Sequence, residues 1–422
     1  MIALLDTDVK KRARQQRAIE AAAPILAMAG REGRGVEAAV IAQARDPLLD
    51  AQLQAEASVS GSLAAQQTHL HDAGACLDGI ISFSAAPNGL DGLEAGLSNL
   101  FSSYESLYSD PANLALRRGI VRSAQEVAAK FNRASFRLDR LRNDLNASIQ
   151  EDVVRANENL DDIAGLNQQI IEARASGGRS GALAEEREQC LERLSSCVNI
   201  IARPRADGGV NVSIGGVAMV SGAKTPDSLA TYPDNNENLR LQAQNAGTRL
   251  KPAGGSVAGK IAARDGGLAG LQSGLNHLAW QLITRFNSIY SSGCDLKGGT
   301  GRDFFTGTDA SDISVNSIVA ADPSRLQAGG AAGGKGNDAA APALESFGQR
   351  YVRTVSNLGS TLSKVSDELS SSQAVAQMLA NERASAHGAT LGDELTSLQR
   401  YQQACAASVQ MHAALDEMPP MQ

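Results

Sequence analysis

The chain has 422 residues, of which 43% are apolar but only 4% aromatic, with a single tryptophan, Trp280. That length calls for several domains with cores of their own, filled largely by small residues, a bias that suits helices packed side by side better than an aromatic-walled ligand pocket. A net charge of −7 excludes the basic footprint of a nucleic-acid binder. The five scattered cysteines, with no CxxC pair, signal neither a disulfide framework nor a zinc site, and no apolar run nears the ~20 residues that span a bilayer.

The opening, MIALLDTDVKKRARQQ, puts its charges after a very short apolar stretch and lacks the hydrophobic region of a secretory signal. An exported protein with this start needs another route. The basic cluster Lys10, Lys11, Arg12, Arg14 and Arg17 reads as a solvated helix face. Farther on, Ser109-Asp110-Pro111 offers a capping side chain and a proline for a first helical turn. From there to about Ala175 no further proline occurs, and Val127, Phe131, Ala134, Leu138, Leu141 and Leu145 recur in steps of four and three, a coiled-coil seam. Ile149 and Val153 follow in two steps of four, a stutter, before Ala156, Leu160 and Ile163 resume the rhythm. Such a helix approaches ~90 Å.

Ser176-Gly177-Gly178 breaks the pattern, and a shorter helix with Leu183, Arg187, Cys190, Leu191, Leu194 and Val198 is expected to fold back on the first. Cys190 and Cys197 lie roughly 10 Å apart along that helix, beyond disulfide reach, and read as small core residues. The period then changes to two: Val210, Val212 and Ile214 alternate with polar residues between the turns Asp207-Gly208-Gly209 and Gly215-Gly216, and Leu239 and Leu241 mark another strand. Helix returns from Ser256 to about Tyr290, with Leu268, Leu271, Leu275, Leu278, Leu282, Phe286 and Ile289 in heptad-like spacing. A Gly-rich loop, GCDLKGGTGRDFFTG, leads to a strand at Ile313–Ile318, and AGGAAGGKGNDAAA (328–341) reads as a flexible surface connection. A second long helix spans about Ala343 to Ala386, carrying Leu344, Phe347, Tyr351, Val355, Leu358, Leu362, Val365 and Leu369. After Gly388 a last amphipathic helix carries Leu391, Leu395, Leu398, Tyr401, Cys405, Val409 and Leu415.

The expected fold class is mainly α with a β-rich insertion: long antiparallel coiled-coil-like helices from both chain ends form a rod, with a smaller β domain in the middle. The divisions are an atypical N-terminal segment (1–32), the N-terminal part of the helical rod (33–197), a projecting β-rich domain (198–255), a helix plus loop and strand region (256–342), the C-terminal part of the rod (343–387) and a C-terminal amphipathic assembly helix (388–422).

Chemistry is sparse. Gly254–Ile261 and the stretch from Gly329 through Lys335-Gly336 approach the phosphate-binding pattern GxxxxGK[ST], but Ile261 and Gly336 stand where a metal-ligating hydroxyl is needed. Lys260 therefore reads as a surface residue at a helix start. His69 and His71 face different sides of a helix, His277, His387 and His412 are isolated, and no HExxH or GxSxG occurs. Asp161-Asp162 and Glu185-Glu186 read as solvated helix faces. No catalytic, cofactor-binding or metal-binding set emerges, and the chain reads as a non-enzyme.

The run LNASIQEDVVRANENLDDIAGLNQQIIEA (145–173), with Leu166, Asn167 and Ile170 at its end, resembles the long helix of the flagellar hook-associated protein type 1 family, the hook–filament junction proteins. Before it, LFSSYESLYSDPANLALRRGIVRSAQEVAAKFN is similar to the family through Phe101, Pro111, Arg117, Phe131 and Asn132. After it, Gly259, Arg264, Asp265, Asn287, Gly293, Asp295, Leu296, Gly298 and Phe305 carry a third match, and LGDELTSLQRYQQACAAS (391–408) resembles the C-terminal helix of axial flagellar proteins at Leu398, Tyr401, Gln402 and Ala407. Cys405 departs from the aromatic usual at its position. Residues 1–32 depart from the family's hydrophobic opening helix, and GALAEEREQC (181–190) keeps only part of its usual segment, which implies a start upstream of Met1 or a diverged end.

The resemblance implies a structural subunit of the bacterial flagellum that joins hook to filament. It implies assembly with itself into a ring, contacts with the flagellar hook protein and the second hook–filament junction protein, and a cytoplasmic flagellar export chaperone that holds the C-terminal helix. It also implies type III export without a cleaved signal peptide to an extracellular position. Leu391, Leu395, Leu398, Tyr401, Cys405, Val409 and Leu415 are the expected subunit or chaperone interface, with no cofactor, nucleic acid or membrane. The other readings are another axial subunit, a paralogue that no longer assembles, and a nucleotide-binding protein using the Gly254–Lys260 loop.

Overall fold

The computed structural model describes residues 47–77, 92–178, 180–329 and 359–384, all within one unit, Asp46–Gln422. It is mainly helical, with two small sheets in the middle of the chain and a two-stranded ribbon after them. Helix α1 spans Pro47–Leu77 and opens on a proline, whose missing N–H costs a first turn nothing. Helix α2, Leu93–Ser109, buries Leu93, Leu97, Leu100 and Leu107. Because that burial carries α2 as far as Ser109, the long helix starts later than its expected cap. Asp110 closes α2, Pro111 lies in the turn, and Asn113 caps α3, Leu114–Ala175, by accepting from the N–H groups of Ala115 (2.9 Å) and Leu116 (3.3 Å).

Helix α3 has 62 residues. It ends where expected: Gly177 takes φ +72°, its N–H reaches the Arg174 carbonyl (3.1 Å), and that of Gly178 reaches Ala173 (2.7 Å), satisfying carbonyls the last turn would leave orphaned. Helix α4, Gly181–Cys197, returns antiparallel, so that Arg187 meets Asn167 and Arg193 meets Asn159. The apolar stripe of α3 is buried from Val127 to Ile170, with Leu141 half-buried. It serves two cores in turn. Residues up to Leu145 pack with α2 and with the region around Phe286 and Phe304, whereas Ile149 onward packs with α4 and the strands. Each step of four advances the stripe by about 40° beyond a full turn, so the stutter through Ile149 and Val153 turns it from one core toward the other.

Strands β1 (Ile201–Pro204), β2 (Val210–Ile214) and β3 (Val217–Val220) form one antiparallel sheet, and β4 (Leu229–Pro233), β5 (Leu239–Ala243) and β6 (Arg249–Leu250) another. Val210, Val212 and Ile214 all face the core. Ile214 pairs with Val217 across a two-residue turn in which Gly215 and Gly216 both take positive φ, the geometry that matches strand twist.

The single helix expected from Ser256 is two helices: α5 (Gly255–Ala262) and α6 (Ala269–Tyr290), joined by a π-helical turn at Ala263–Leu268. The turn holds Gly266-Gly267, a pair of low helix propensity. A Cβ on Gly267 would lie 2.1 Å from Leu70 Cδ2, so a larger residue there would have to displace the buried Leu70 side chain of α1. The expected strand at Ile313–Ile318 shrinks to β8 (Ser314–Val315), paired with β7 (Phe305–Thr306). It stops because the Asn316 side chain accepts from the Ile318 N–H (3.0 Å) and starts the short helix α7, Ser317–Ala321. The connection expected to be on the surface from 328 begins inside: Ala328 and Gly329 are buried, and the Gly329 carbonyl accepts from the Cys294 N–H at 2.6 Å.

Residues 359–384 are helical, with Val365 and Leu369 buried. This helix, α8, runs antiparallel to α1: Gln67 donates to Ser366 (3.1 Å) and, farther along, Ser372 donates to Glu56. The expected seam residues Leu344, Phe347, Tyr351, Val355 and Leu358 lie outside the described residues.

Candidate functional site

The expected interface residues Leu391, Leu395, Leu398, Tyr401, Cys405, Val409 and Leu415, with Gln402 and Ala407, lie outside the described residues. The polar motif residues share one arrangement, in which side chains hold the backbone of nearby strands and loops. Asn167, fully buried on α3, donates to the carbonyls of Val210 (2.8 Å) and Gly222 (2.7 Å) and accepts from the Val210 N–H (3.0 Å) and from Arg187 (2.9 Å). Its amide thus acts as a strand neighbour for Val210. Asn287 on α6 does the same for Phe305, donating to its carbonyl (2.7 Å) and accepting from its N–H (2.9 Å). Asn132 donates to the carbonyls of Ala310 and Ile313. Arg117, 1% exposed, donates to the carbonyls of Pro111 (2.8 Å) and Leu326 (2.5 Å).

Arg264, on the π-turn, bridges Asn146 of α3 (2.6 Å) and the Leu239 carbonyl of β5 (3.0 Å), while its neighbour Asp265 pairs with Arg240 at 2.5 Å. Asp295 organises the glycine-rich loop by accepting from the N–H groups of Lys297 (2.8 Å) and Gly299 (2.7 Å), with Arg302 and Arg325 both at 3.5 Å. Burial pushes the Asp295 carboxyl up, but these N–H groups and Arg325 outweigh it and hold it below the usual carboxylate range.

Sequence reasoning missed one ionic cluster and misplaced Lys260. That lysine is buried, not on the surface, and its Nζ lies 2.6 Å from Asp152 Oδ2 and donates to the Ser148 carbonyl (3.1 Å). Ser256 donates to the same carboxylate (2.5 Å), and Arg155 pairs with its other oxygen. Burial raises the Asp152 pKa, and the bonds from Lys260 and Ser256 more than reverse it, so the net shift is downward. The signal was present: Asp152 falls three after Ile149 and four before Ala156, on the core side of the seam. Asn157 was missed for the same reason; it accepts from the Leu229 N–H (2.8 Å) and donates to its carbonyl (2.9 Å).

The glycines of the phosphate-loop-like stretch serve packing. A Cβ on Gly255 would lie 2.3 Å from the Cys197 carbonyl, and one on Gly259 would lie 2.0 Å from the Ser62 carbonyl oxygen. A phosphate has no approach to backbone so occupied. His69 pairs with Asp72 at 3.4 Å, and burial lowers its pKa despite that neighbour. His277 stacks on Trp280. Tyr290, which accepts from the Gln327 N–H, is pushed up to about 12 by burial and stays a neutral phenol. Among the described residues no group of His, Cys, Asp or Glu is placed to hold a metal ion, and no helix is long and apolar enough to cross a membrane. What the polar motif residues do is fix loops and strands against helices α3 and α6 and close the glycine-rich loop on itself.

A family model described as the flagellar hook-associated protein FlgK helical domain matches residues 83–305, more than half of the chain. Flagellar hook-associated protein 1 of Escherichia coli (strain K12) is 25% identical over 293 residues, 66% of this chain and 51% of its own length. Its counterpart in Bacillus subtilis (strain 168) is 24% identical over 307 residues, 66% of this chain and 59% of its own. The chain thus spans about half the length of the curated relatives it matches. In fold it is similar to the flagellar hook junction protein FlgK from Burkholderia pseudomallei, with a TM-score of 0.53 and 22% identity over 61% of this chain and 46% of that one.

Proposed function

Since the chain belongs to the family of the flagellar hook-associated protein FlgK helical domain, we propose that it is a structural subunit of the bacterial flagellum joining hook to filament. The observation that carries this reading is the correspondence between the matched residues and the clamps. Arg117, Asn132, Asn167, Arg264, Asn287 and Asp295 all lie inside 83–305, and each spends its polar groups on positioning backbone rather than on a reactive centre. A molecule built this way transmits load.

In this reading the subunit assembles into a ring through its helical ends, meets the hook protein on one side and the second junction protein on the other, and is exported by the flagellar type III apparatus with a chaperone on its C-terminal helix. The antiparallel contact of α1 with residues 359–384 supports a rod built from both ends of the chain. The division into an N-terminal rod part (33–197), a β-rich domain (198–255) and a C-terminal rod part (343–387) is proposed on the same basis. The amphipathic segment with Leu391, Leu395, Leu398, Tyr401, Cys405, Val409 and Leu415 is proposed as the interface. Mass spectrometry of sheared, washed flagella from the native cell tests the assignment. Peptides of this chain are expected there, and deletion of its gene is expected to detach filaments; intact flagella without such peptides would refute it. Leu395→Asp is expected to block incorporation, because an unpaired charge in a buried seam is costly.

A further inference from the structure

The face of α3 that points away from both cores is sorted by charge. Toward its N-terminal half the exposed residues include Arg133, Phe136 and Arg140, and toward its C-terminal half Glu151, Val154 and Glu158. The two sets have identical spacing, three residues then four, with arginine replaced by glutamate and one exposed apolar residue at the centre of each. Phe136 is 69% exposed and Val154 52%. They stand 18 residues apart, which is five turns and about 27 Å at the same rotational phase. Neither Arg133, Arg140, Glu151 nor Glu158 forms a side-chain ion pair among the described residues. Their neighbours reinforce the signs: Arg118 and Arg137 are exposed in the first half, Asp161 and Asp162 in the second. Two of the exceptions are engaged locally, Glu126 with Arg122 and Arg155 with Asp152, and a third, exposed Asp144, lies at the boundary between the halves. Like charges three and four apart on a helix repel, so each half carries a small internal strain that the opposite half would relieve.

We propose that this face is a self-association surface, on which a second, like-oriented copy of the chain lies displaced by five helical turns. Phe136 of one copy then meets Val154 of the next, while Arg133 and Arg140 meet Glu151 and Glu158. The occupant is a second copy because the second half of the same helix complements the first half in both charge and spacing. A displaced, like-oriented contact is heterologous: every copy keeps one set free for a further neighbour. This rests on the junction-subunit reading and names the surface it would use.

The test is disulfide trapping of the full chain carrying Phe136→Cys and Val154→Cys, under mild oxidation, read against the natural chain, whose own cysteines set the background. Within one chain the two sulfurs are too far apart to bond, so every new band is intermolecular. A ladder extending beyond dimers is expected. Arg133→Glu with Arg140→Glu on that background should weaken the ladder about tenfold, and adding Glu151→Arg with Glu158→Arg should restore it, at unchanged helicity by circular dichroism. A ladder that stops at dimers, no bands above background, or indifference to the charge changes overturns the proposal. If this chain's peptides are nevertheless found in isolated flagella, the surface alone is refuted and the junction reading stands.

Discussion

At the scale of the residue, the most consequential group is Asp152, which takes Lys260, Ser256 and Arg155 on one buried carboxylate. Removing one partner of a buried ion pair leaves a charge without compensation, so Lys260→Met is expected to cost about 3–5 kcal/mol, measured by urea denaturation. Asp152 has a folded pKa below its unfolded one. Its contribution is therefore present above about pH 4 and lost as the pH falls through the folded pKa. The stability gap between the natural chain and Asp152→Asn should be full at pH 7 and shrink as acid is added below about pH 4. Asn167→Leu strips partners from both polar groups of Val210 and from Gly222, and about 3 kcal/mol of destabilisation is expected. Glu237 is the only non-glycine at positive φ among the described residues. Glu237→Gly should stabilise the β4–β5 turn by about 0.5–1 kcal/mol, read as a raised Tm.

At the scale of the element, glycine decides how closely helices approach. Gly259 of α5 sits against the Ser62 backbone, and Gly61 of α1 sits against the Ser196 carbonyl at the end of α4, 2.5 Å from where its Cβ would be. Both contacts are with backbone, which cannot swing aside as a flexible side chain would. Gly259→Ala is thus expected to push α5 off α1 and cost about 1–3 kcal/mol, seen in thermal melts. The mild Gly270→Ala, with open space around its Cβ, should instead stabilise α6 by up to about 1 kcal/mol. The π-turn between α5 and α6 belongs to the same account. It accommodates the Gly266-Gly267 pair, brings Arg264 inward to Asn146 and Leu239, and lets α6 continue in the other core.

At the scale of the molecule, two cores share one uninterrupted helix, with the handover between Leu145 and Ile149. Phe131 and Leu160 are both buried, one in each core, and stand about 43 Å apart along α3. Phe131→Ala and Leu160→Ala should each cost about 3–5 kcal/mol. Their effects should add within about 0.5 kcal/mol in the double variant, because the two sites share no neighbours. A double-mutant cycle with a larger coupling would mean that the two cores act as one packed body.

The sequence by itself determined the periodic parts: the seam of α3 and its stutter, the Gly177 stop, the return of α4 and the alternation of β2. In each, one chemical rule acts within a few residues, so local spacing suffices. It determined the family as well, through ordered matches at Phe101 to Asn132, at Leu166 to Ile170 and at Gly259 to Phe305. Only the tertiary structure decided where the polar residues go. Lys260 looked like a solvated helix start because nothing within its own helix could neutralise it; its partner, Asp152, lies on α3 more than a hundred residues earlier. The start of α3 moved from Ser109-Asp110-Pro111 to Asn113 because burial of α2 outweighed a local capping signal. The strand expected at Ile313–Ile318 gave way to a helix cap at Asn316, and the π-turn falls where Gly267 packs on Leu70 of α1. For Lys260 the deciding partner is remote in sequence, and spacing along its own helix carries no record of it. At Asn113 and Asn316 the caps are local, but which of the competing local signals acts is set by how the neighbouring segments pack.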